Sequence, residues 1–178
     1  YALKPSQVRA LEHADIVFYL GDSFETFLPK TLAALPSSLK RVAMQIVPGI
    51  TLYPLRTAEG FEPDADNVAG APDLHLWLSP ANARLMAAEI TRQLSKLYPK
   101  NKTLYEANEK KLDTRLTALD KHLRAELAPI KHKPFIVFHD AYQYFQKTYG
   151  LDISGSITIN PEQPPGASVP VRSVTGDF

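Results

Sequence analysis

The sequence predicts an α/β protein: two lobes with parallel sheets, joined by one long helix. Three observations carry this. Short apolar runs alternate with helix-period segments near the amino end, the same alternation returns after Pro129, and between them one leucine stripe runs unbroken from about residue 102 to 127. Alternating strands and helices build parallel sheets covered by helices. A helix of about 25 residues reaches about 40 Å, long enough to cross the molecule and join two lobes.

The elements follow in order. Pro5 to Asp15 opens with Pro and Ser and places Val8, Leu11 and Ala14 at helical spacing; Ile16 to Leu20 is a continuous apolar run and reads as a buried strand closed by Gly21. A short helix is expected from Ser23 to about Leu35 and a strand from Arg41 to Val47. From Pro48 to Pro72 no period is sustained, and Glu59, Glu62, Asp64 and Asp66 among Gly, Pro and Ala predict a long surface loop. In Leu74-His75-Leu76-Trp77-Leu78 alternation sets the leucines on one side and His75 with Trp77 on the other, as in a half-buried strand.

Ser79 and Pro80 form a strong helix start, since the serine oxygen caps free amides and proline fills the first helical position. Ala83, Met86, Ile90, Leu94 and Leu97 mark that helix's inner face. The long helix carries Leu104, Leu112, Leu116, Leu119, Leu123 and Leu127 on its stripe, with Glu106/Lys110 and Asp120/Arg124 spaced as i, i+4 pairs. Pro134 to Phe138 then predicts a buried strand, Asp140 to Tyr149 a helix stopped by Gly150, and Ile153 to Ile159 a further strand. The domain boundaries expected from this pattern are an amino-terminal lobe at 1–101, the connecting helix at 102–128 and a carboxyl-terminal lobe from 129 to 178.

Composition narrows the function. The 178 residues carry a formal charge of +1, so no global positive field exists to hold nucleic acid or an anionic membrane. The absence of cysteine removes disulfides, thiolate metal sites and cysteine nucleophiles together. No stretch approaches the roughly 20 apolar residues of a membrane span, and with no signal peptide before Tyr1 the chain reads as soluble and either mature or cut.

Two histidines stand at informative places. His139 follows four apolar residues and precedes a helix, the carboxyl end of a strand where α/β sheets form ligand crevices. His75 sits in the alternating segment just before the Ser79 cap. Asp140 with Gln143 fits a capping box, and Asp73 is either structural or holds the second ring nitrogen of a histidine. His13, His122 and His132 lie among charged neighbours and read as surface residues.

The stretches Asp73-Leu74-His75-Leu76-Trp77-Leu78-Ser79-Pro80 and Phe138-His139-Asp140-Ala141-Tyr142-Gln143-Tyr144-Phe145 resemble the ligand motifs of the zinc-type substrate-binding proteins of bacterial ABC importers, D-P-H-x-W-L-S-P and F-H-D-A-[FY]-x-Y-F. Leu74 replaces the usual proline, while Asn82 and Met86 also match. The likeness begins at Tyr1-Ala2-Leu3-Lys4-Pro5-Ser6, similar to the family's H-x-Y-x-x-x-P-S-D with Gln7 for Asp, and runs to about Ala167.

The resemblance implies two α/β lobes on a rigid helix, with Zn2+ bound in the cleft by His75 and His139 and delivered to a membrane permease. It implies no catalysis, a periplasmic or lipid-anchored location, and a monomer that binds neither nucleic acid nor the bilayer interior. A further ligand histidine of the family falls two residues before Tyr1, and a carboxylate ligand comes from the far end of the second lobe, so the chain reads as a member short at both ends with its second lobe incomplete. Manganese-importing relatives tend to carry Glu at the position of His139, and imidazole suits zinc where carboxylate suits manganese. The acidic loop occupies the place of the family's metal-gathering loop but contains no histidine.

Two rival readings arise. Gly21-Asp22-Ser23 after an apolar strand resembles the nucleophile block of GDS-type esterases, with Ser23 as nucleophile, yet no histidine has an aspartate three residues before it to act as base. The metal-carrier family also includes adhesins, which allows an interaction domain whose metal site has been lost.

Overall fold

The computed structural model describes residues 3–56 and 71–158. Helix α1 (Pro5–Glu12) leads into β1 (Ile16–Tyr19); α2 (Leu28–Ala34) then returns the chain to β2 (Lys40–Ala43), which pairs parallel to β1 with Ile16 beside Lys40 and Tyr19 beside Ala43. The same plan recurs after the long helix, where β5 (Phe135–His139), α5 (Gln143–Tyr149) and β6 (Ile153–Thr158) give a second parallel pair with a register shift between Phe135 and Ile136. This is the expected α/β alternation on either side of a long helix.

Several boundaries differ from the sequence expectation, each for a local reason. Helix α2 starts at Leu28, not Ser23, because Pro29 lacks an amide and fits only a first turn. The residues before it form a turn in which Phe24 and Glu25 donate to the Gly21 carbonyl and the Glu25 carboxylate accepts from the Leu20 and Gly21 amides. Beyond Ala43 the chain tightens into a 3-10 turn at Met44–Ile46, so the strand expected to reach Val47 is shorter.

The stretch 48–72, expected to be a loop throughout, contains at its ends a small antiparallel pair, β3 (Tyr53–Pro54) with β4 (Pro72–Asp73). Its acidic centre lies outside the described residues. The half-buried strand expected at Leu74–Leu78 is instead a 3-10 turn, Leu76–Leu78, although the sidedness holds: Leu74 and Leu76 are buried and Trp77 is exposed.

Ser79 caps α3 (Pro80–Leu97) as expected, its hydroxyl accepting from the Asn82 amide at 3.4 Å. Helix α4 spans Lys102–Leu127, matching the leucine stripe, but none of its residues is buried, and Leu104, Leu112 and Leu119 face outward. Of its two expected ion pairs Asp120/Arg124 forms at 3.0 Å, whereas Glu106 lies 3.7 Å from Lys102 rather than against Lys110. Helix α5 ends on Gly150 at φ 66°, the left-handed conformation that glycine adopts without strain. No described helix is long and apolar enough to cross a membrane.

The two buried clusters sit in the first unit, while Tyr149, Leu151 and Ile153 are buried in the second. Val42, Met44, Val47, Leu74 and Leu76 form one buried cluster, and Leu28, Leu32, Leu35 and Leu39 form another under α1 and β1. The first cluster also takes in Tyr144 of α5, so the second unit is pinned to the first by a buried aromatic ring.

Candidate metal site

His139 is the last residue of β5, and His75 lies between β4 and the 3-10 turn that leads to the α3 cap. Buried Leu74 and Leu76 on either side fix the backbone there, which leaves the His75 ring to project the other way with its side chain 14% exposed. The two imidazoles, 64 residues apart in the chain (139 − 75), face each other edge to face with ring centres 5.3 Å apart.

Aromatic residues enclose His75. Phe24 meets it edge-on at 5.3 Å and Trp77 lies tilted at 5.4 Å. The Asp73 carboxylate accepts from the His75 amide at 3.0 Å and sits 2.7 Å from the ring Nδ1. A carboxylate can only accept, so the His75 Nδ1 is the donor in this contact, which turns Nε2 toward a ligand. Of the two roles open to Asp73, the structure therefore gives it the hold on the ring nitrogen, and the residue is structural besides: its carbonyl accepts from the Tyr144 hydroxyl at 2.6 Å.

Tyr144 is 1% exposed and also accepts from the Tyr53 amide at 3.1 Å. Burial, the larger cause, and the nearby Asp73 charge push its hydroxyl up to about 12, so it stays a neutral donor across the physiological range. Beside it Gln143 donates to the Pro54 carbonyl at 3.0 Å.

Asp140 does not cap α5. The helix begins at Gln143 with no side-chain cap, and the Asp140 carboxylate instead pairs with both Nε and Nη2 of Arg56, the Nε contact being 3.0 Å. Gln143, the expected partner in the box, turns to the β3–β4 pair. A buried guanidinium outcompetes a local cap because it neutralises the carboxylate as well as bonding it. Sequence reasoning had no signal for Arg56, whose partner lies 84 residues away.

The structure thus brings His75 and His139 together and leaves the other histidines apart: His13, His122 and His132 are exposed, and His122 lies 3.5 Å from Glu126 on α4. Among the described residues no group of three or more histidine, aspartate or glutamate side chains is arranged to hold a metal ion. Ser23, the esterase nucleophile of the rival reading, falls in the turn after β1.

An imidazole from each of two α/β units meets the other where the units touch, an arrangement that marks this place as the candidate ligand site. The chain belongs to the ZnuA family, zinc-uptake complex component A, periplasmic, whose model matches residues 1–172. It is 39% identical to the high-affinity zinc uptake system protein ZnuA of Brucella abortus across 94% of this chain and 60% of that protein. Among solved structures, a crystal structure of ZnuA superposes with a TM-score of 0.73 at 32% identity, covering 94% of this chain and 59% of the other. The Zn(II)-bound ZnuA-like domain of Streptococcus pneumoniae AdcA gives a TM-score of 0.66 at 28% identity over 85% of this chain and 51% of the domain. The chain therefore spans about 60% of the length of the Brucella relative.

Proposed function

We propose that this chain binds one zinc ion between its lobes through His75 and His139 and, in the periplasm, presents it to the permease of an ATP-driven importer. The observation that carries this is the imidazole pair. A zinc ion about 2.0–2.1 Å from each ligating nitrogen lies roughly 3 Å from each ring centre, and a tetrahedral angle then places the two centres roughly 5 Å apart. The observed 5.3 Å fits that spacing. The family description and the zinc uptake relatives support the cargo and the compartment.

Two nitrogen donors favour zinc over manganese, which prefers oxygen. Water or further ligands complete the coordination sphere. The reading assigns no catalytic residue, since zinc here is cargo, and it takes the chain as a monomer that binds no nucleic acid. It also keeps the division into lobes at 1–101 and 129–178 around a connecting helix at 102–128.

The test is a zinc titration of metal-stripped protein against a competing chelator, with His75→Ala and His139→Ala alongside. One ion per chain, weakened at least about tenfold by either substitution, is the expected result, since each substitution removes one of few donors. Binding that ignores both substitutions, or no binding, makes the chain a scaffold or adhesion-type domain without the metal role.

A further inference from the structure

His139 ends a strand whose Ile136 and Phe138 are exposed, so its distance from His75 depends on what ties β5 to the first unit. The residue after it, Asp140, is drawn toward Arg56, which follows closely on β3. The guanidinium meets both carboxylate oxygens and donates through Nη1 to Gln146 on α5 at 2.6 Å. Both side chains of the ion pair are under a tenth exposed. Strand β3 in turn pairs with β4, and β4 ends at Asp73, two residues before His75. One continuous path, His139–Asp140–Arg56–β3–β4–Asp73–His75, therefore connects the two imidazoles through covalent bonds, a strand pair and one buried ion pair.

We infer that Arg56 is a positioning residue for the metal site: through Asp140 it holds the β5 end at a set distance from His75, so that the imidazole pair is assembled before zinc arrives. This rests on the reading that the two histidines share one ion. A planar fork suits the task because it fixes the direction as well as the distance of a carboxylate, which a lysine ammonium does not. Removing only one partner would leave a buried charge unpaired and blur the result with misfolding. Exchanging both for apolar side chains of similar size avoids this.

The experiment compares wild-type protein with the double variant Arg56→Met, Asp140→Leu and with Arg56→Lys. Three readouts are taken: zinc affinity by chelator competition, the visible spectrum of the cobalt(II)-substituted protein, and the nuclear Overhauser effect between the two imidazole rings in the metal-free state. The double variant is expected to bind zinc about tenfold to a hundredfold more weakly, as loss of outer-shell support does, with an altered cobalt spectrum and no Overhauser effect between the rings before metal is added. Arg56→Lys is expected to fall between the two, and it decides the matter if the double variant does not fold.

Unchanged affinity, cobalt spectrum and ring-to-ring Overhauser effect in these variants, with wild-type binding that needs both histidines, overturn the positioning role alone. Wild-type binding indifferent to His75→Ala and His139→Ala overturns the shared site and this role together.

Discussion

The two α/β units share one plan, a parallel strand pair crossed by a helix, but they bury their residues differently. In the first unit β2 carries Val42 and Ala43 into a core that Met44, Leu74 and Leu76 complete. In the second, β5 leaves Ile136 51% and Phe138 68% exposed, and the deepest residue of α5, Tyr144, is buried in the first unit's cluster. The difference teaches how the site is supported. His75 stands on a packed scaffold, whereas His139 is placed by links that cross from the other unit: the Tyr144 ring, the Gln143 amide and the Arg56 guanidinium.

The sharpest way to break this comparison is to cut apolar side chains on each side. Leu76→Ala, at a residue with no exposed surface, should lower unfolding free energy by about 2–5 kcal/mol. Ile136→Ser on the open face of β5 should change it by less than about 0.5 kcal/mol. Urea denaturation measures both, and comparable losses would mean that the outer face of β5 is covered in solution.

Next in size, Asp73→Asn should weaken zinc binding about tenfold to a hundredfold by freeing the His75 ring to turn. Chelator competition reads this, and no change would remove Asp73 from the support of the site.

Tyr144→Phe keeps the buried ring and removes only the hydroxyl that joins the Tyr53 amide to the Asp73 carbonyl, at a cost of about 1–3 kcal/mol. It also has a pH signature. The folded value is raised from 10.0 to about 12, so the unfolded chain loses its proton first, and stability present below pH 10 is lost as pH rises through 12. The Tyr144→Phe protein should decline less steeply across that window in thermal melts, although Tyr149, likewise raised to about 12, leaves part of the slope in place.

What the sequence revealed follows from the range of the forces involved. The α4 bounds, the Ser79 cap and the Gly150 stop were legible because each depends on neighbours within a turn. His75 and His139 were singled out by the family motifs around them, not by local pattern alone, and the structure sets their rings 5.3 Å apart across 64 residues of chain (139 − 75). Arg56, Tyr144 and Gln143 left no local sign of their cross-links, since each acts on a partner 70 or more residues away. The same distance explains the error at Asp140, where a plausible local cap gave way to a remote guanidinium.

Gly21 has a consequence for how the site tolerates change. A methyl group built there would stand 2.5 Å from the Gln45 Oε1 and 2.8 Å from the Leu74 side chain, closer than atoms can pack. Leu74 is the residue before His75, so the smallest possible enlargement at the end of β1 would have to be met by movement of the Gln45 and Leu74 side chains beside the segment that carries the imidazole. Room for a hydrogen atom and no more at Gly21 thus leaves the Leu74 side chain its present place, one residue from an imidazole that Gly21 never touches.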